Sequence, residues 1–236
     1  MPSSGLYKVD GLLSSSDALH RANGNVISFS FSVPDSWAVT GEAVLNNSQK
    51  AAVREALSYV TQITGVVFQE SSGIIGTKAL HFGVGRIEGA GALIQFFGSQ
   101  SFGIYIDSVE NPEYADFTSG WGRGLLLHEI GHALGLDHPS GIPDSENSSA
   151  NTLMSYDWDP LIPTTFRPYD LLALSWIYGG DGIGGTWGYN STNGPVLPPE
   201  AFPPITHDIS GSGSLAEGGS YTFTVTRAGN TAVATT

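Results

Sequence analysis

Along the chain, apolar positions fall into short alternating runs and longer stretches of helical period. In VISFSFSV, residues 26–33, Ile27, Phe29, Phe31 and Val33 alternate with serines, the pattern of a half-buried strand. Across residues 48–64, Val53, Ala56, Leu57, Val60 and Thr64 recur at helical spacing, with Asn47 or Ser48 as N-cap and Gly65 as stop. Short β-type runs follow at residues 66–68, 80–84 and 104–106. GALIQFF, residues 91–97, fits a core strand and an exposed edge for an extended peptide equally well. A second helix is predicted over residues 118–134, and RPYDLLALSWIYGG reads as a third, with Pro168 in its first turn and Gly179 as its stop. Strands and helices in this order predict a mixed α/β fold, a twisted sheet with helices packed on it.

Beyond Gly179 the composition shifts to Gly, Asn and Pro through residue 204, which marks a linker and places a domain boundary near Pro198. The expected organisation is a main domain over residues 1–197 and a smaller module over 198–236. In that module Tyr221, Phe223 and Val225 alternate with threonines, as in one strand of an incomplete β-sandwich.

Composition narrows the function classes. A net charge of -13 would repel nucleic acid and anionic membrane surfaces, so neither is an expected partner. With only 13% charged residues, the surface relies on Gly, Ser, Asn and Thr, which suits a protein working outside a cell. Cysteine is absent, which excludes disulfides, thiolate ligands and a thiol-based latency switch on this chain. The N-terminal residues lack a basic stretch followed by a long apolar run, and no segment is apolar for long enough to span a bilayer; neither a Sec-type signal nor an anchor is expected. Clustered carboxylates can hold calcium, but no cluster here is dense enough to assign it.

The chemistry concentrates in HEIGHALGLDH, residues 128–138, which fits HExxHxxGxxH. His128 and His132, four apart on a helix, share one face and can address one ion. Glu129 is rotated about 100° from His128, beside the ion, where a general base would reach an activated water. Gly135 can adopt the left-handed conformation that ends a helix and returns His138 as third ligand. Three nitrogen ligands without a fourth protein ligand leave zinc an open position, the arrangement of a catalytic rather than a structural site. His20, His81 and His207 have no comparable spacing; His81, in an alternating strand, is expected to be structural or solvent-facing.

TLMSY, residues 152–156, resembles the Met-turn of the metzincins, and Pro139 after His138 with Tyr156 two residues after Met154 resembles the serralysin branch. The resemblance extends over roughly residues 5–180. It implies a zincin fold with an irregular lower subdomain over about residues 139–180 and the cleft between the two parts. It also implies a secreted endopeptidase of broad specificity acting on extended polypeptide, with Met154 as a floor beneath the zinc and Tyr156 as a movable ligand and oxyanion donor. The chain is expected to act as a monomer. The glycine- and aspartate-rich calcium repeats usual in serralysins are missing, and GGDGIGG, residues 179–185, only imitates them. The final residues instead resemble the start of a Calx-β-type module, as in a fragment of a longer protein, with type I-like export if a signal lies further on. Two other readings fit parts of this pattern: an adhesive or matrix-binding protein on a zincin scaffold, and a zinc hydrolase of non-peptide amides.

Overall fold

The computed structural model describes residues 1–15, 18–98, 100–158, 162–195 and 197, together with the backbone of 206–210 and 224–228. The chain divides into two compact units, Met1–Leu197 and Pro198–Thr236. The second contains an antiparallel pair, β7 (Thr206–Ser210) with β8 (Thr224–Ala228). Val225 lies in β8, whereas Tyr221 and Phe223 lie outside the described residues.

The first unit is built on a six-stranded sheet. Its strands are β1 (Val26–Ser30), β2 (Thr40–Val44), β3 (Val67–Glu70), β4 (Ala79–Arg86), β5 (Ala92–Phe96) and β6 (Ser101–Asp107), and the main path runs β3-β1-β4-β6-β5. β1 pairs parallel with β3 and β4, and β4 parallel with β6; β5 closes the path antiparallel to β6. β4 and β6 are buried on both faces over nearly their whole length, in keeping with sequences made mostly of apolar and small residues. β2, which has no clear alternation of its own, pairs antiparallel with the end of β4 beyond the reach of β1. It had no distinct signal in the sequence because four of its five residues are exposed or nearly so and its partner supplies the register.

GALIQFF is resolved as the terminal strand of the sheet rather than a central one. Leu93 packs against Val39, Ile87 and Tyr105 on one face, and the Gln95 side chain accepts from Ser36 Oγ at 2.6 Å.

Helix α2 (Asn47–Thr64) starts one residue earlier than predicted, because Asn46 takes the cap. Asn46 Oδ1 accepts from Gln49 N at 2.9 Å and Gln49 Oε1 from Asn46 N at 2.8 Å, a reciprocal pair that satisfies two otherwise orphaned donors. Helix α3 (Gly120–Leu134) is buried around nearly its whole circumference. From His138 to Arg167 no helix or strand is present among the described residues, and the chain then enters α4 (Pro168–Tyr178), which opens on Pro168 and ends at Gly179 in the left-handed conformation, as its sequence predicts. A short N-terminal helix, α1 (Tyr7–Asp10), packs on α4. No described helix is long and apolar enough to cross a membrane.

Candidate metal centre

Helix α3 delivers His128, Glu129 and His132 from its last two turns. Gly135 ends it at φ 104°, and the Leu136 N–H returns to the Gly131 carbonyl at 2.9 Å, a closure that needs the left-handed conformation. The reversal brings His138 back over the helix. His138 Nε2 then lies 3.2 Å from both His128 Nε2 and His132 Nε2. Among the described residues this trio is the group of His, Cys, Asp or Glu side chains that could hold a metal, with its ligand atoms within 4.8 Å of one another.

The partners of the far ring nitrogens decide what these near nitrogens can do. The Leu153 carbonyl lies 3.0 Å from His128 Nδ1 and the Leu136 carbonyl 3.0 Å from His132 Nδ1. A carbonyl only accepts, so each Nδ1 carries the proton and each Nε2 presents a lone pair. Burial pushes His128 down to about 3 and also lowers His132 and His138, so all three rings are neutral near pH 7. His128 and His132 thus both aim Nε2 lone pairs at His138 Nε2, an arrangement that favours a shared cation. Zn–N bonds of about 2.0–2.1 Å in a tetrahedral site place neighbouring nitrogens about 3.3–3.4 Å apart. The two 3.2 Å spacings fit that requirement, and an all-imidazole donor set suits zinc.

Glu129 sits on the same helix and is only 6% exposed. Burial alone pushes its carboxyl up to about 8, and a cation at the neighbouring histidines would pull it back down. Met154 is completely buried, and its sulfur is where a side chain on Gly131 would have to go: a Cβ there would approach Sδ to 2.9 Å. Glycine in the middle of HEIGH therefore lets the turn carrying Met154 press directly against α3. Tyr156, two residues on, is 67% exposed, with its ring centroid 4.4 Å from that of His138 and 6.0 Å from that of His128. Partial burial, with Glu129 and Asp137 nearby, raises its phenol, so the hydroxyl stays protonated. Trp158 stands edge-on to both Tyr156 and His128.

Two supporting features lie outside the motif. Asp170, fully buried in the first turn of α4, accepts from Thr152 Oγ1 at 2.6 Å, Leu153 N at 2.7 Å and Arg167 N at 2.8 Å. It thereby holds the residue whose carbonyl orients His128. Burial pushes this carboxyl up to about 6 against the pull of its hydrogen bonds, which leaves it ionised at pH 7. Its position at the third residue of a proline-initiated helix is the one sequence signal that could have pointed to it. The other feature is the N-terminal segment. Ser14 N donates to the Gly135 carbonyl at 2.9 Å, Asp137 N to Leu12 at 2.8 Å and Ser140 N to Gly11 at 2.9 Å, an antiparallel pairing along the backbone that carries His138.

The remaining histidines lie elsewhere. His81 is fully buried, not solvent-facing, with Nδ1 3.0 Å from Ser30 Oγ and Nε2 3.0 Å from the Ile75 carbonyl, a structural role. His20 is buried behind Gly135, and the side chain of His207 lies outside the described residues.

Comparison with known proteins gives the site a context. The chain is similar to a serralysin of Photorhabdus sp. (strain Az29), 26% identical over 206 residues, covering 70% of this chain and 41% of that protein. It is similar to serralysin C of Dickeya chrysanthemi, 30% identical over 132 residues, or 51% of this chain and 27% of that one. These likenesses support a serralysin-like metzincin. The zinc metalloproteinase nas-10 of Caenorhabditis elegans is 28% identical over 141 residues, covering 59% of this chain and 23% of its own length. No family model matches. This serralysin-like chain spans about two-fifths or less of the length of these relatives, and its mixed sheet with a histidine-bearing helix is a zincin fold.

Proposed function

We propose that this chain is the peptidase part of a secreted zinc-dependent endopeptidase, with His128, His132 and His138 as metal ligands. The observation that carries the reading is the convergence of three neutral Nε2 atoms, two of them 3.2 Å from the third, with a buried carboxylate on the same helix turn. When bound, zinc would polarise the scissile carbonyl and make an attacking water acidic near neutral pH.

The chain's own groups do the rest. Glu129 takes the proton of the attacking water and delivers a proton to the leaving amine. The Tyr156 hydroxyl donates to the oxyanion as charge develops on the carbonyl oxygen. Met154 holds the floor against Gly131. An extended polypeptide pairs along the outer edge of β5, whose backbone groups are free of a further strand among the described residues. Such a substrate needs no nucleic-acid or membrane surface, and a single copy of the chain supplies every group named.

The test is casein cleavage by the zinc-loaded protein with and without a chelator. Chelator-sensitive turnover restored by zinc is expected. A metal-free preparation with full activity would sink the reading, and a zinc-loaded protein that binds polypeptide without cleaving it would favour an adhesive role.

A further inference from the structure

A cavity of about 410 Å³ opens between α2, the first turns of α3 and residues 164–165. This volume falls within the roughly 300–1,000 Å³ range of ligand pockets. Arg123, which lines it, precedes His128 by five residues on α3, about 140° round the helix axis and about 7.5 Å along it. Among the described residues the cavity shares none with the metal centre.

The cavity has a cation at its base. Arg123 is only 7% exposed, and a guanidinium taken out of water is costly unless it is paired. Its pairing within the chain is partial. Nη1 donates to the Ala52 carbonyl at 3.3 Å, and Nη2 lies 3.5 Å from the carboxylate of Glu55, whose side chain is 74% exposed. An ion pair with a partner so far in solvent is weak. These contacts engage only part of a planar fork of five N–H groups, a shape that meets a carboxylate with two parallel hydrogen bonds.

The groups around the cation are mostly uncharged. Tyr59 Oη accepts the Phe166 N–H at 3.0 Å, so its own hydrogen remains to be donated. Burial raises this phenol, which stays protonated. Ser58, Thr164 and Thr165 add hydroxyls at the rim, and Gln62 adds an amide. Glu55 is the one carboxylate among the described lining residues. On a chain with 22 acidic and 9 basic residues this balance is local, so a negative ligand is drawn to the cavity and not to the surface at large.

We propose that this cavity binds a small hydroxylated carboxylate, such as a sugar acid, with Arg123 pairing the carboxylate in place of Glu55 and the rim meeting the hydroxyl groups. The proposal is independent of the peptidase reading, since no group in it belongs to the metal centre.

Calorimetric titration of the zinc-loaded full chain with gluconate tests it, with sorbitol, a polyol of the same chain length without the carboxylate, as the control. Gluconate should bind at one site with a Kd on the order of 1 mM, and sorbitol about tenfold more weakly or less. Glu55→Gln removes the competing carboxylate from an exposed position and should tighten gluconate about two- to fivefold. Arg123→Lys, which loses the planar fork, should weaken it severalfold. Should Arg123→Lys fail to fold, Glu55→Gln decides. Gluconate held by the zinc would not respond to Glu55→Gln, and an Arg123 that only ties α2 to α3 would bind none. Affinity unchanged by Glu55→Gln, sorbitol binding as tightly as gluconate, or no gluconate bound at about 50 mM each overturns the proposal.

Discussion

The carbonyl of Leu12 accepts the backbone N–H of Asp137 at 2.8 Å, one residue before the third histidine of the metal centre. With the Ser14–Gly135 and Ser140–Gly11 bonds it holds the backbone around His138 from outside the motif. A Cβ on Gly11 would approach the Ser140 carbonyl to 2.6 Å and Ile142 Cγ1 to 2.7 Å. Gly11→Val should therefore push this backbone away and weaken zinc binding by about tenfold, the scale on which supporting contacts tune metal affinity. Competition with a chromophoric chelator measures it; unchanged affinity in a folded variant would show that His138 holds its place without the N-terminal segment.

Asp170 should matter to stability as much as to the site. Asp170→Asn removes a charged acceptor that serves two backbone N–H groups and one hydroxyl, and turns an NH₂ group toward donors. The expected loss is about 1–3 kcal/mol, because the amide NH₂ leaves a buried donor without an acceptor. Chemical denaturation of the zinc-free protein reads this directly, and a loss below about 0.5 kcal/mol would mean the Met-turn is held by packing alone.

Glu129 and Tyr156 are assigned different tasks, so their substitutions should separate. Glu129→Ala should keep zinc and lose nearly all turnover, because no other described carboxylate shares the helix face beside the three histidines. Tyr156→Phe should lower kcat by about 10²–10³, the usual cost of one oxyanion donor, and leave zinc content unchanged. Steady-state kinetics on one peptide decide it; a fully active Tyr156→Phe would return the residue to a packing role.

Two opposite shifts at the metal centre contribute to the pH dependence of the metal-free fold. The three histidines are depressed by burial, so as pH falls below about 6.5 the unfolded chain takes up protons the fold refuses, and stability drops. Glu129 is raised from 4.5 to about 8, so the fold binds the extra proton and its stability is lost as pH rises across that interval. Glu129→Gln, which cannot ionise, should therefore gain thermal stability over the unsubstituted metal-free protein at pH 8 and lose that advantage at pH 4.5. Equal differences at both values would show that Glu129 is not held neutral in the metal-free fold.

Sequence by itself determined the elements whose signals are local. HEIGHALGLDH places two histidines and the carboxylate through the helical period, and Gly135 sets the turn that returns His138, because a left-handed residue after a helix has few alternatives. The α2 helix and α4 with its Pro168 and Gly179 were legible for the same reason. What only the tertiary structure decided involves partners far apart in the chain. Nothing in GALIQFF tells an edge from a centre, since β5 is an edge only because no described strand pairs on the side away from β6. The exposed β2 takes its register from β4. The buried state of His81 depends on Ser30 and Ile75, and the tautomer of His128 on the Leu153 carbonyl that Asp170 holds in place. A periodicity shows which face a residue occupies within its own element; it carries no information on which distant backbone group will satisfy it once the chain has closed.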